Sequence, residues 1–430
     1  MRISFPYAQF PGVEVPDESL MGVFALPKPA STDGDTLIRD SLAAPIGTPP
    51  LRELARGRTR VLIVTDDIAR PTPAWRIVPH VLNELRAAGV QDDAIAFMMA
   101  LGTHRPMTEA EMAGKLGEDI VRRYPVYNHA WDDPGALVSM GTMAPDIEVL
   151  INRKVMEADL VIGIGRIMPI DICGFTGGGK ILIPGCCGEA TLDAMHWIRV
   201  DMDDADVVGH PDNPIRVAID AMARKAGLDF IVNIVMDTEK NVLGCVAGEL
   251  EQAHRAGCVL AETFHAVAIP EPADIVITDA YPFDIEFWQV NKAVDTAGLV
   301  VRPGGVVVAV SPCYEGLSRV HADLVLQYGY RTRTEIKALV NDGKIRPHVV
   351  GVHMIQVGHV AKDKANLILV TDGISPDDVA RMGIGYAASP QAGLDQAFRM
   401  VGADAKVAVL RGAAEMLPVV GRAAQEGSAV

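Results

Sequence analysis

Short runs rich in Val and Ile recur along the chain at 60–65, 94–100, 160–163, 230–236, 275–278, 300–310, 367–371 and 407–410, separated by longer amphipathic stretches. Continuous apolar runs of this length fit strands buried on both faces, and the segments between them fit helices. The pattern therefore predicts an α/β protein with mainly parallel sheets. At 268–273 the sequence AIPEPA places two prolines just before a fresh strand, which reads as a linker. This predicts an N-terminal α/β domain over 1–270 and a C-terminal α/β domain over 271–408. The tail, 409–430, reads as a helix packing back at the domain junction.

Composition narrows the function classes. A chain of 430 residues exceeds the size at which one hydrophobic core stops growing, and 49% hydrophobic against 22% charged residues excludes bulk disorder. The formal charge of −16 repels nucleic acid and anionic lipid. Six dispersed cysteines without a CxxC pair make neither a disulfide framework nor a zinc site. The start of the chain lacks the basic and apolar regions of a secretory signal, and no apolar run reaches the roughly 18 residues of a membrane span. The expected compartment is the cytoplasm, with neither nucleic acid nor membrane as partner.

Four loci sit where strands are expected to end, the place where open α/β sheets hold ligands. After the first run, Asp66-Asp67-Ile68-Ala69-Arg70-Pro71-Thr72-Pro73 reads as a turn with Thr72 as N-cap and Pro73 as first helical residue, holding Asp67 and Arg70 beside a helix start. A capped turn with one internal Asp–Arg pair fits equally well. The second locus, Gly102-Thr103-His104, precedes a capping box of Thr108 and Glu111, so His104 lies in a strand-to-helix loop where it is either an acid/base or a backbone-bonded histidine.

The third locus runs from Gly165 to Lys180. Thr176 and the glycines Gly177, Gly178 and Gly179 allow backbone to approach an anion, and Lys180 adds a charge or a reactive amine. Its spacing imitates a phosphate-binding P-loop, but Ile181 stands where a Ser or Thr would hold magnesium and Pro184-Gly185 interrupts the helix that should follow. Adjacent Cys186 and Cys187 are poorly placed to share one metal ion, whereas His196 is a suitable ligand for nickel, copper, zinc or iron. At the fourth locus Gln289 and Lys292 lie three residues apart on one helical face, presenting an amide and an ammonium together or forming a solvated stripe.

Taken in order, Asp67-x-x-Arg70-Pro71, Gly102-Thr103-His104, the glycine-rich stretch ending at Lys180, His196 and Gln289-x-x-Lys292 resemble the lactate racemase family, which uses a nickel-pincer nucleotide. The resemblance implies two α/β domains with a cofactor cleft between them. The cofactor would be pyridinium-3,5-bisthiocarboxylic acid mononucleotide carrying nickel, made by separate cofactor-synthesis proteins. By position, Lys180 tethers one thiocarboxyl arm, His196 ligates nickel and His104 is an acid/base at the substrate hydroxyl. Arg70 binds the substrate carboxylate, with Asp67, Gln289 and Lys292 in the same site, and Thr176 with Gly177, Gly178 and Gly179 lies near the nucleotide.

One departure matters. The family places a second catalytic histidine in a Pro-His pair ten residues before the lysine, where this chain reads Pro169-Ile170. An isoleucine exchanges no proton, so either another group works on the second face, with Asp171 the nearest candidate base and His129 a further one whose ordinary reading is structural, or the substrate demands only one histidine. The expectation is a racemase or epimerase of a 2-hydroxy acid other than lactate. Its rivals are a related redox enzyme on a larger hydroxy acid and a protein that binds the cofactor without turnover.

Overall fold

The computed structural model describes residues 1–27, 33–143, 147–202 and 204–421. Every apolar run of the sequence is a strand. Val61–Asp66, Ile95–Ala100, Leu160–Arg166 and Leu228–Met236 belong to one six-stranded sheet, and Ala273–Asp279, Val301–Val310, Asn366–Val370 and Val407–Arg411 to another. Each sheet is the backbone of one compact unit: a central unit, Lys28–Phe264, and a terminal unit that joins Met1–Pro27 to His265–Val430.

Across the central sheet the order is Val242–Gly248, Leu228–Met236, Leu160–Arg166, Val61–Asp66, Ile95–Ala100, Val126–Asn128. Only the edge pair Val242–Gly248 with Leu228–Met236 is antiparallel. The helix Ala74–Ala87 buries Ile77, Val78, Val81, Leu82 and Leu85, one stripe at helical spacing, in the core that contains Ile63, Phe97 and Ile162. The chain winds outward from Val61–Asp66 in both directions. The order therefore reverses between Val61–Asp66 and Leu160–Arg166, and at such a point the loops leaving the two strands diverge and open a crevice.

The terminal sheet is wholly parallel, ordered Gly385–Ala387, Asn366–Val370, Val301–Val310, Ala273–Asp279, Val407–Arg411, Leu20–Ala25. Its order reverses between Ala273–Asp279 and Val407–Arg411, but the amino-terminal segment packs there. Phe5, Tyr7, Phe10, Val13 and Val15 share a core with Ile275, Ile277 and Val409. Arg411 pairs with Asp279 at 3.0 Å, donates to the Ser4 carbonyl and lies 6.0 Å from the Phe5 ring centroid.

The domain boundaries thus differ from the expected 1–270, 271–408 and 409–430. The first 27 residues fold with the C-terminal part, because Leu20–Ala25 extends the sheet beside Val407–Arg411 and the apolar residues before it need that sheet's core. The expected linker at 268–273 begins inside a strand, Ala266–Ile269, and the unit changes at His265. The tail is not a helix where it is described: a 3-10 turn, Ala413–Glu415, leads into a strand, Leu417–Val420, that pairs in parallel with Ala266–Ile269. Pro418 between β-branched and aliphatic neighbours disfavours helix and suits a two-stranded edge. Residues 422–430 of that expected helix lie outside the described residues. No helix among the described residues is long and apolar enough to cross a membrane.

Candidate active site

Three loops leaving the carboxyl ends of the central strands converge at the reversal point. The first follows Val61–Asp66. Its helix starts at Ala74 with Pro73 as N-cap, one residue later than the sequence predicts, because the Thr72 hydroxyl is used elsewhere: it donates to Asp66 Oδ2 at 2.5 Å. Asp67 meets His104 rather than open solvent. Its Oδ2 lies 2.6 Å from His104 Nδ1, with the Asp67 side chain 5% and the His104 side chain 31% exposed. Burial by itself would push the Asp67 carboxyl up, but the charges of His104, Arg70 and Lys115 outweigh it, and its pKa lies below the usual carboxylate value. A carboxylate on Nδ1 fixes that nitrogen as the donor and leaves Nε2 as the basic one.

The second loop is held by its capping box. Thr108 and Glu111 bond reciprocally, and Arg105 grips the Glu111 carboxylate at 2.7 and 2.9 Å. Gly102, at φ 56°, donates its amide to the Gly185 carbonyl at 2.9 Å, tying the His104 loop to the segment behind Lys180. His104 therefore hangs from a braced turn.

The third loop opens as a small antiparallel hairpin, Pro169–Ile170 with Gly174–Phe175, and continues into the 3-10 turn Gly178–Ile181 that presents Lys180. Thr176, expected beside the nucleotide, is buried, its hydroxyl donating to the Arg166 carbonyl at 2.8 Å. The Gly178 amide donates to Asn233 Oδ1 at 2.8 Å. A Cβ on Gly177 would come within 2.8 Å of Asn233 and Ile167, one on Gly178 within 2.7 Å of His254, and one on Gly179 within 2.9 Å of Ala223. The glycines thus let the turn press against its own protein. From beneath, the fully buried Arg216 donates to the Gly177 carbonyl at 3.1 Å, to the Phe175 carbonyl and to Cys173 Sγ at 3.4 Å.

Lys180 is half-buried, and its pKa is pushed down by desolvation, with Arg70 and Arg216 adding to the shift while Cys173 and Asp171 oppose it. An ammonium so placed gives up its proton more readily and becomes a better nucleophile. His196, on the helix Glu189–Trp197, donates Nδ1–H to the Leu192 carbonyl at 2.7 Å, which leaves Nε2 as the nitrogen able to take a metal. Burial first, then the Lys180 charge, pull its pKa to about 4, so the ring is neutral at ordinary pH. Asp171 adjoins Ile170 in the hairpin and its backbone carbonyl accepts from Arg199 Nε at 2.8 Å. His129 is structural: buried, it bonds the Cys187 carbonyl at 2.8 Å and Asn152 at 3.0 Å.

Asp67, Arg70, His104, Asp171, Lys180 and His196 are thus gathered in one electrostatic neighbourhood of the central unit. Gln289 and Lys292 belong to the terminal unit, on the helix Phe287–Val300, where Lys292 bonds the Gln289 amide oxygen and lies 4.9 Å from the Phe283 ring centroid. Sequence reasoning missed Arg216 and Lys115. The signal for Lys115 was present: it shares one helical face with Met112 and Leu116, an apolar stripe interrupted by a charge.

Among the described residues no three His, Cys, Asp or Glu side chains form a metal site. A nickel ion that carries its own sulfur and carbon donors needs one further ligand, and His196 with Nδ1 engaged and a neutral ring fits that need. Lys180 nearby fits a covalent tether.

Comparison with known proteins agrees across nearly the whole chain. A family model for the lactate racemase N-terminal domain matches residues 9–207, and one for the lactate racemase C-terminal domain matches 269–417. Lactate racemase of Lactiplantibacillus plantarum is 29% identical over 378 residues, 87% of this chain and 88% of that protein. Lactate racemase of Thermoanaerobacterium thermosaccharolyticum is 31% identical over 324 residues, 73% of this chain and 75% of that protein. Among solved structures, the lactate racemase apoprotein of the latter organism superposes with a TM-score of 0.87 at 26% identity, covering 97% of this chain and 100% of that one. A Thermotoga maritima protein with a TM-score of 0.74 is 22% identical, over 91% of this chain and 100% of that one, and speaks for the fold alone.

Proposed function

The chain belongs to the lactate racemase family and is an isomerase of the racemase type, and from that premise we propose that it inverts a 2-hydroxy acid other than lactate by hydride transfer to a nickel-pincer nucleotide. The observation that carries this reading is the Asp67–His104 pair, 2.6 Å apart, in the same neighbourhood as Lys180 and His196.

A carboxylate makes the α-carbon a poor carbanion, so removing its hydrogen as a proton is hard. When bound, the nickel nucleotide supplies a hydride acceptor instead. His104 Nε2 takes the hydroxyl proton, and Asp67 holds the ring in the required tautomer and stabilises the imidazolium that results. Asp67, read from sequence as a substrate contact, is thereby reassigned to orienting the base. Arg70 grips the substrate carboxylate bidentately while the carbonyl turns over. On the opposite face Asp171 serves the proton that a histidine at position 170 would have served. Lys180 would tether the cofactor and His196 would ligate its nickel, while Thr176 with Gly177–Gly179 keeps the turn that carries Lys180 in place. Gln289 and Lys292 are assigned to the substrate on the strength of the resemblance. Ile170, buried beside Asp171 and unable to exchange a proton, is the reason to look beyond lactate.

The test is to co-express the protein with cofactor-synthesis enzymes, then measure nickel, locate any mass increase and screen 2-hydroxy acids by chiral chromatography. The expected outcome is nickel that His196→Ala loses, added mass on Lys180, and inversion that retains deuterium at the α-carbon. Deuterium washing out into solvent would rule out hydride transfer, and absence of both nickel and added mass would rule out the cofactor. Bound cofactor without inversion of any acid would favour a binding protein.

A further inference from the structure

The loop that carries Asp67 and Arg70 is fastened from outside by a residue that neither the motif nor the proposed chemistry uses. Lys115, on the helix Glu109–Leu116, has a side chain only 4% exposed. An ammonium has three donors. The structure gives this one three oxygen partners, all on that loop: hydrogen bonds to the Arg70 carbonyl at 2.7 Å and the Asp67 carbonyl at 3.1 Å, and an ion pair with Asp66 Oδ1 at 2.5 Å. The other Asp66 oxygen accepts from Thr72, and the Arg70 amide closes a turn onto the Asp67 carbonyl at 3.2 Å. The bond from Thr72 to Asp66 and the turn from the Arg70 amide to the Asp67 carbonyl thus both end on residues that Lys115 also holds.

The same helix governs His104. Its first turn is locked to the His104 loop through Arg105 and Glu111, and its last turn supplies Lys115. Asp67, His104, the helix and Lys115 form a closed ring, so the 2.6 Å contact between Asp67 and His104 is spanned on its far side by one buried cation. Buried lysines persist where they are paired, and a flexible chain spent on three converging acceptors is costly to order unless the loop's path matters.

Resting on the reaction proposed above, we propose that Lys115 is a positioning residue that sets both the Asp67–His104 pair and the Arg70 guanidinium at their working places. It touches neither substrate nor cofactor and acts through the backbone of 66–70.

The experiment uses cofactor-loaded enzyme, the 2-hydroxy acid that wild type inverts fastest, and the variants Lys115→Met and Asp66→Asn/Lys115→Met. The double variant removes both buried charges, so it recovers melting temperature lost by the single one. If Lys115 positions the site, kcat/KM stays depressed about 100-fold in both, in line with the cost of an ångström-scale displacement, with KM rising alongside the fall in kcat. Amide hydrogen exchange across 66–73 is accelerated in both. A double variant that recovers kcat/KM with its melting temperature would overturn the proposal, as would wild-type kinetics in Lys115→Met. Should wild type invert no acid, the proposed reaction fails, and exchange across 66–73 in the unloaded protein still decides: unchanged exchange in both variants overturns the role of Lys115.

Discussion

Both sheets of this protein reverse their winding and so create the same topological crevice, yet the two crevices are used in opposite ways. In the central unit the crevice beyond Val61–Asp66 gathers Asp67, His104, Lys180 and His196. In the terminal unit the equivalent place beyond Ala273–Asp279 receives Tyr7 and the Asp279–Arg411 pair beneath the amino-terminal segment. A carboxylate stands at each. Asp67 is held below the usual carboxylate value, because burial is outweighed by the charges of His104, Arg70 and Lys115. Asp279 is raised from 3.8 to about 6, because burial outweighs Arg411 and its hydrogen bonds. Topology offers a crevice in both units, and the cations brought to the buried acid differ: His104, Arg70 and Lys115 act on Asp67, and Arg411 acts on Asp279.

The sharpest way to break the comparison is His104→Gln. Inversion of the accepted 2-hydroxy acid should fall about 1,000-fold while nickel content is retained, as loss of a positioned acid/base requires. An active variant would end the assignment. Asp67→Asn should cost about 100-fold, since an amide facing Nδ1 can donate to it and turn the ring to the tautomer protonated at Nε2. Working in the other direction, Asp67 contributes stability above its ordinary pKa of 3.8, and that contribution is lost as pH falls through its lower folded value.

At the plugged crevice the expected effects concern folding. Tyr7→Ala should cost about 3 kcal/mol in urea denaturation, the scale of emptying a buried aromatic site, with no change in nickel content. Asp279→Asn should have the smallest effect, visible only as a pH slope. The folded protein holds the Asp279 proton more tightly than the unfolded chain, so this group's stabilisation is full below 3.8 and is lost as pH rises through about 6. Denaturation midpoints measured between those values should show that decline in wild type and not in the variant. A large catalytic loss from Asp279→Asn would show that the second crevice is not merely a plug.

Much of this was legible in the sequence. The eight apolar runs are the inner strands, where burial on both faces demands continuous Val and Ile. Within the two six-stranded sheets, the strands that escaped notice, Leu20–Ala25, Val126–Asn128, Val242–Gly248 and Gly385–Ala387, are the four edges. Three of them are half-solvated or short, and Val242–Gly248 is broken by glycines, so none carries a strong run. The tail misled for a related reason: Leu417–Val420 is a strand only because Ala266–Ile269 offers it a partner.

What the sequence determined by itself was local: the inner strands, the capping box that braces the His104 loop, and the residues able to accept a proton, take a metal or become a tether. These depend on neighbours a few residues away, and the chain carries them wherever it folds. Tertiary structure alone decided which of those residues met. It put Asp67 on His104 rather than in open solvent, sank Lys115 beneath the Arg70 loop, and drew the first 27 residues to a sheet made mostly by the last third of the chain. Such choices turn on buried area and on satisfying charges removed from water, and both are set by partners far away along the chain.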